Sequence, residues 1–125
     1  MILDTNALSA FAEGDEGLAK CLAGVHDLRV PVVVLGEFRF GMRFSRHRRT
    51  YENWLNEALR DLDVLPVLES TAEFYAVLCG ELKRAGTPIP SNDVWIAALA
   101  REHRLPVVTR DRHFEQVPGL RRIPW

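Results

Sequence analysis

The chain has 125 residues, of which 47% are hydrophobic and 26% charged, and its formal net charge is −1. This length fits one domain, residues 1–125, that buries its own core, and the composition is ordinary for a soluble globular protein. No apolar run approaches membrane-spanning length, and no basic region precedes the apolar N-terminus as in a signal peptide. Cys21 and Cys79 fall in helix-like patterns and are interpreted as small core residues of a reduced, cytoplasmic protein.

The first half of the chain predicts two short strands, each followed by helix. Strands are expected at 1–3 and 28–30, and helices at 5–12, 15–24 and 32–44. Pro31 separates the second strand from its helix, because proline suits the first turn of a helix better than a central ladder.

The second half continues the alternation of strand and helix. Helices are expected at 50–62, 70–85 and 91–103, and strands at 64–67, 106–109 and near 121–123. Pro66 marks its strand as an edge strand, and Ser70 with Glu73 has the spacing of a capping box. The alternation predicts an α/β layered domain with a mostly parallel sheet.

Four acidic residues lie at the mouths of buried-looking segments. Asp4 and Asp111 follow predicted strands, Asp93 lies in the first turn of a helix, and Glu37 lies on a helix with Gly41 leaving room beside it. Ligands of parallel sheets bind beyond the carboxyl ends of the strands, where these side chains can converge. Clustered carboxylates either raise their pKa values or hold a cation, and Mg²⁺ or Mn²⁺ suits oxygen ligands.

Each acid also has an ordinary structural explanation. Asp4 is a potential helix cap, although Thr5 serves equally well, and Asp93 suits a helix dipole. Glu37 is explained as a solvated helix residue and Asp111 as a turn former. Taken singly these explanations are favoured; taken together, four acids at four element ends favour a metal-dependent phosphodiesterase.

Positive charge is concentrated in one segment, residues 39–49. Arginine matches phosphate geometry, so we interpret this arginine segment as an RNA contact, against the alternatives of a solvated helix end or a dimer contact. Its members are Arg39, Arg43, Arg46, Arg48 and Arg49. The four histidines show no paired metal-ligand spacing, and His113, although close to Asp111, is assigned a surface or packing role.

Four segments resemble the motifs of PIN-domain ribonucleases, and most closely those of the VapC toxins of VapBC toxin–antitoxin pairs. They are Leu3-Asp-Thr-Asn6, Pro31-Val-Val-Val-Leu-Gly-Glu37, Ile89-Pro-Ser-Asn-Asp-Val-Trp-Ile-Ala-Ala98 and Val108-Thr-Arg-Asp-Arg-His-Phe114. The resemblance covers nearly the whole chain. It implies a three-layer α/β/α sandwich and a divalent-metal-dependent endoribonuclease.

The resemblance also implies roles for individual residues. The acidic quartet maps onto Asp4, Glu37, Asp93 and Asp111, and the supporting polar positions onto Thr5, Asn6, Asn92 and Thr109. Asp4 and Asp93 are expected to bind Mg²⁺ or Mn²⁺ directly, while Glu37 and Asp111 act through water or a second ion. Asp111 is the candidate acceptor for the proton of the attacking water. Glu115 is a candidate for a more distant carboxylate.

The implied partners are a small antitoxin, an RNA substrate with transfer RNA as one candidate, and a second copy in a homodimer; no membrane is expected. A phosphatase of the haloacid type is disfavoured because Asn6 occupies the place of its second aspartate, and a receiver domain because Lys83 lies in a helix. The alternative left open is a catalytically silent PIN-like module that binds RNA or protein.

Overall fold

The structure is a computed structural model that describes residues 1–125. Its elements, in chain order, are β1 (Ile2–Leu3), α1 (Thr5–Ala12), α2 (Glu16–Leu22), β2 (Arg29–Pro31), α3 (Val32–Arg43), α4 (Arg48–Ala58), β3 (Asp63–Leu65), α5 (Glu69–Ala85), α6 (Ser91–His103), β4 (Val107–Val108), a 3₁₀ turn (Arg112–Gln116) and β5 (Arg122–Ile123). No helix is long and apolar enough to cross a membrane. Both cysteines are free thiols.

The five strands form one sheet in the order β3-β2-β1-β4-β5, and every pair is parallel. In the centre, Ile2 pairs with both Arg29 and Val107. β3 lies at an edge, as the proline following it predicted. The predicted parallel sheet is thus confirmed.

The connections between strands place helices on both faces of the sheet. β1, β2 and β3 step toward one edge through α1 to α4, whereas the chain then crosses back through α5 and α6 to reach β4. Since parallel crossovers are right-handed, opposite directions of travel put the two sets of helices on opposite faces. The result is the predicted α/β/α sandwich, and both faces of β1 and β4 are fully buried.

The N-terminus of α5 differs from the prediction. Ser70 does not cap the helix; Leu68 is the N-cap residue, and the Thr71 hydroxyl accepts a hydrogen bond from the Leu68 backbone N–H at 3.0 Å. Thr71 also donates to Glu102 on α6 at 2.7 Å and is fully buried. The predicted cap at Ser70 is wrong because the Thr71 hydroxyl, one residue further on, contacts both the Leu68 N–H and Glu102 on α6.

Replacing Thr71 with valine should therefore cost more stability than replacing Ser70 with alanine. Thr71→Val leaves the Leu68 backbone N–H and one oxygen of the half-buried Glu102 carboxylate without a partner, for a loss of about 1–3 kcal/mol in the free energy of unfolding. Ser70 is exposed and donates only to Glu102, so Ser70→Ala should cost less than about 1 kcal/mol. Urea denaturation of both variants measures the difference; equal losses would contradict the reassigned cap.

Candidate active site

The acidic residues meet where the strand order reverses. After β1 the chain continues to β2 and β3 at one edge of the sheet, and after β4 it continues to β5 at the opposite edge. The gap between the carboxyl ends of β1 and β4 is therefore the topological switch point. Asp4 directly follows β1, and Thr109 directly follows β4. The backbone N–H of Asp4 donates to the Val108 carbonyl at 3.2 Å, so the two segments are joined here.

Asp4 is buried, only 4% exposed, and its carboxylate accepts three hydrogen bonds. Its Oδ1 accepts from the backbone N–H of Thr5 at 2.7 Å, which makes Asp4 itself, and not Thr5, the N-cap of α1. Its Oδ2 accepts from Asn6 Nδ2 at 2.8 Å and from the Thr109 hydroxyl at 2.7 Å. The supporting residues therefore fix the direction of this carboxylate.

Asn6 and Thr109 also shape the loop that carries Asp111. The Asn6 side-chain oxygen accepts from the backbone N–H of Arg110 at 3.0 Å, and the Thr109 hydroxyl accepts from the backbone N–H of Asp111 at 2.9 Å. The loop after β4 is consequently tied to the first turn of α1.

Glu37 reaches the cluster from the middle of α3. Its two carboxylate oxygens accept from different elements: Oε2 from the Thr5 hydroxyl on α1, and Oε1 from Asn92 Nδ2 on α6 at 2.8 Å. Glu37 is thus held in place by two of the polar residues assigned supporting roles from the sequence.

Asp93 and Asp111 form a second group with His113. His113 Nδ1 lies 3.2 Å from Asp93 Oδ2 and 3.2 Å from Asp111 Oδ1. Asp111 in addition caps the 3₁₀ turn by accepting from the His113 backbone N–H at 2.8 Å. From the sequence we assigned His113 a surface or packing role, which did not anticipate these contacts. Asp111 caps the 3₁₀ turn two residues before His113, and this turn brings the imidazole ring back to the acids.

The shared location of the carboxylates changes their acidity. Burial, together with the charges of Asp4 and Asp111, raises the pKa of Asp93 to about 6, while contact with His113 acts in the opposite direction. Burial also raises the pKa of Asp4, opposed by its hydrogen bonds from Thr109 and Thr5 and reinforced by the charges of Glu37 and Asp111. The structure therefore brings all four predicted acids into one interacting cluster.

The donor set fits a divalent cation. Asp93, Asp111 and His113 each offer a ligand atom, and these atoms lie within 4.8 Å of one another. The neighbouring carboxylates of Asp4 and Glu37 add negative potential, and no lysine or arginine forms an ion pair with any of the four acids. A cluster with this much unneutralised charge suits a hard cation.

Two other predicted contributors occupy different positions. Glu115 is held by Arg122 at 2.8 Å and by Arg112 at 3.3 Å, so it is engaged outside the cluster and does not supply the more distant carboxylate. In the arginine segment, Arg48 pairs with Glu52 at 2.6 Å, whereas the other four arginines are exposed and form no ion pair.

The raised pKa of Asp93 predicts a pH-dependent stability difference. A carboxyl whose pKa is higher in the folded than in the unfolded state destabilises the protein as pH rises from about 4 to about 6, and the penalty stays above that window. With chelator present, Asp93→Asn should therefore be more stable than wild type at pH 8, and the advantage should disappear at pH 4; the shift corresponds to roughly 3 kcal/mol, which solvent screening of this partly exposed group reduces. Denaturant unfolding at both pH values measures it, with exposed Asp61→Asn as control; a variant destabilised equally at both would contradict the assignment.

Comparison with known proteins agrees with this geometry. Residues 1–120 match the PIN domain family. The chain is 32% identical to ribonuclease VapC5 of Mycobacterium tuberculosis over 123 residues, covering 94% of this chain and 87% of that protein.

Solved structures give the same relationship. The VapBC-5 structure from Mycobacterium tuberculosis, a member of the VapBC family of toxin–antitoxin systems, superposes with a TM-score of 0.75 at 30% identity, covering 98% of this chain and 94% of that one. The DNA-bound VapBC of Salmonella typhimurium superposes with a TM-score of 0.89 at 27% identity, covering 99% and 96%. This chain belongs to the PIN-domain family and, within it, to the VapC ribonucleases.

Proposed function

We propose that this ribonuclease is the toxin of a toxin–antitoxin pair and hydrolyses RNA phosphodiester bonds with a divalent cation, Mg²⁺ or Mn²⁺, held by the acidic cluster. The observation that carries the proposal is the convergence of Asp4, Glu37, Asp93 and Asp111 beyond the carboxyl ends of β1 and β4. We also propose that the protein acts in the cytoplasm, where RNA is present.

The ligand assignment follows from the contacts around each acid. Asp4 and Asp93 remain the proposed direct ligands, and Asp111, which meets Asp93 at His113, acts beside them through water or a second ion. Glu37, held by Thr5 and Asn92, completes the cluster through water or a second ion. His113 is proposed to orient Asp93 and Asp111 through its contacts with them and not to bind the ion, because Mg²⁺ prefers oxygen ligands.

The chain's own residues then have distinct tasks. A divalent ion bound in the cluster supplies Lewis-acid activation of the scissile phosphate and of the attacking water. Thr109 and Asn6 keep the Asp4 carboxylate oriented, and Asn92 does the same for Glu37. Asp111, which is only half-buried, is the proposed acceptor for the proton of the attacking water.

The proposed partners follow from the family and from charge. The solved VapBC relatives support an antitoxin partner, whose arginine would find a cluster of carboxylates with which to pair. The exposed arginines that follow Glu37 along the chain support an RNA contact beside the cluster. Transfer RNA as the substrate and a homodimeric assembly are proposed on the resemblance alone.

Asp4→Asn should abolish catalysis but preserve RNA binding. The substitution keeps an oxygen that accepts from Thr109 yet removes the charge, and we expect RNA cleavage to fall at least about 100-fold. Chelator should silence the wild type, and Mg²⁺ or Mn²⁺ should restore it. A gel assay on labelled RNA measures both effects, with exposed Asp63→Asn as the matched control. Undiminished cleavage by Asp4→Asn would contradict the assigned site, and RNA binding by a wild type that never cuts would favour the silent module.

Replacing Arg46, Arg48 and Arg49 with glutamine should weaken RNA binding and flatten its salt dependence. Each arginine that binds a phosphate of single-stranded RNA contributes about 0.7 to the slope of log K against log[salt], and its replacement should remove that contribution. Arg48 should contribute least, because it already pairs with Glu52. Filter binding in the Asp4→Asn background avoids cleavage, and Arg60→Gln with Arg84→Gln removes charge elsewhere as a control. An unchanged slope in the triple variant would assign the segment to a solvated helix end or a dimer contact.

A further inference from the structure

A cleft of about 320 Å³ opens directly beside the acidic cluster, between α1, α3 and α4. Thr5 and Glu37 belong to both the cleft and the cluster, so the two are continuous. Buried Phe38 and Met42 form its apolar part, together with half-buried Tyr51, whose ring meets Phe38 edge-on at 6.2 Å between centroids. The volume lies at the lower end of the range for small-ligand sites, about 300–1,000 Å³.

The polar side chains of the cleft have unused hydrogen-bonding capacity. Ser9, Glu13 and Tyr51 make no side-chain hydrogen bond within the protein, and Glu13 forms no ion pair. Ser45 accepts from the His47 backbone N–H at 3.0 Å and keeps its own hydroxyl proton free to donate. The cleft therefore presents a carboxylate and hydroxyl groups above an aromatic and aliphatic floor.

Gly41 keeps the cleft open. It lies one helical turn after Glu37, and a Cβ atom added there would meet nothing within 4 Å. Glycine within a helix costs roughly 0.5–1 kcal/mol relative to alanine. At Gly41 no neighbouring atom requires the absence of a side chain, and the space that a side chain would fill is part of the cleft beside the acidic cluster.

We propose that this cleft is a subsite for one unpaired base of the RNA, adjoining the bond that is cut, with a preference for guanine. The proposal rests on the ribonuclease function proposed above. Guanine presents two adjacent N–H donors on its Watson–Crick edge, which match the two oxygens of the Glu13 carboxylate. A base fits where a phosphate does not, because a phosphate beside Glu13 would be repelled.

The distribution of charge around the cleft supports RNA over a protein segment as the occupant. Ser45, at the cleft, lies between Arg43 and Arg46, two exposed arginines without an ion pair. A strand whose phosphates contact these arginines can turn a base inward onto Tyr51. Unpaired bases of RNA are commonly recognised in this way, by stacking on an aromatic ring and by hydrogen bonds to their edges.

Filling the cleft tests the proposal. Gly41→Leu places a side chain in the empty space, whereas Gly36→Leu makes the same change on the same helix, about 140° around its axis. Both glycines have open space at the Cβ position and negative φ, and leucine favours helix, so neither variant should melt below wild type. Glu13→Gln removes the carboxylate but keeps the shape of the cleft.

Binding is measured in the Asp4→Asn background with short single-stranded RNAs that differ at one position, and kcat and KM are measured with Asp4 intact. Gly41→Leu should weaken binding of the guanine-containing RNA about tenfold and raise KM more than it lowers kcat, while Gly36→Leu behaves as wild type. Glu13→Gln should lose the preference for guanine, again about tenfold, with other bases unaffected.

Two results would overturn the subsite. One is unchanged RNA affinity and base preference in both Gly41→Leu and Glu13→Gln. The other is unchanged RNA affinity in Gly41→Leu together with loss of its antitoxin complex, which would assign the cleft to a protein segment. Failure of the ribonuclease proposal is distinguishable, because it appears as a wild type that binds RNA without cutting it or as cleavage that survives Asp4→Asn, whereas the binding preference is read without any cleavage.

Discussion

Like-charge repulsion among four carboxylates is the constraint on which the rest of the structure depends. Asp4 and Asp93 are buried or half-buried in one small volume, and their pKa values are raised because burial and neighbouring acids disfavour the charged forms. Left alone, such a cluster lowers stability at neutral pH. The fold must therefore hold the acids together by other interactions, and it does so with neutral hydrogen-bond donors.

Those donors explain the polar residues around the cluster. Thr109 is fully buried yet makes hydrogen bonds with both Asp4 and the Asp111 backbone, and Asn6 bridges Asp4 to the loop after β4. Lysine or arginine in these places would neutralise the acids internally and compete with a cation. Threonine and asparagine orient the carboxylates while leaving their negative charge available.

The topology supplies the meeting point. β1 and β4 are only two residues long, and both lie fully buried at the centre of a parallel sheet where the strand order reverses. Helices starting at the carboxyl side of the sheet bring Glu37 and Asp93 to the same edge. The adjoining cleft extends this edge as far as Ser45, whose neighbours along the chain include exposed arginines, and the proposed RNA contact rests on this arrangement.

The sequence predicted those features that depend on local pattern. The alternation of strands and helices, the edge position of β3 and the convergence of four acids at element ends all follow from periodicity and from where ligands bind parallel sheets. What it missed depends on contacts distant in sequence. The choice of Thr71 over Ser70 follows from Glu102 on α6, and the engagement of Glu115 from Arg122 on β5. His113 was missed for a related reason, because its approach to Asp93 requires the 3₁₀ turn to face the first turn of α6.

Binding of a divalent cation by the acidic cluster is the central claim, and proton release on binding tests it most directly. Mn²⁺ is titrated into the protein by calorimetry at pH 6 and at pH 8, in buffers of different ionisation enthalpy. Because the pKa of Asp93 is about 6, binding at pH 6 should release a substantial fraction of one proton, and binding at pH 8 almost none from this group. Absence of binding at both pH values, or equal binding with no proton release by wild type and Asp93→Asn, would contradict the claim.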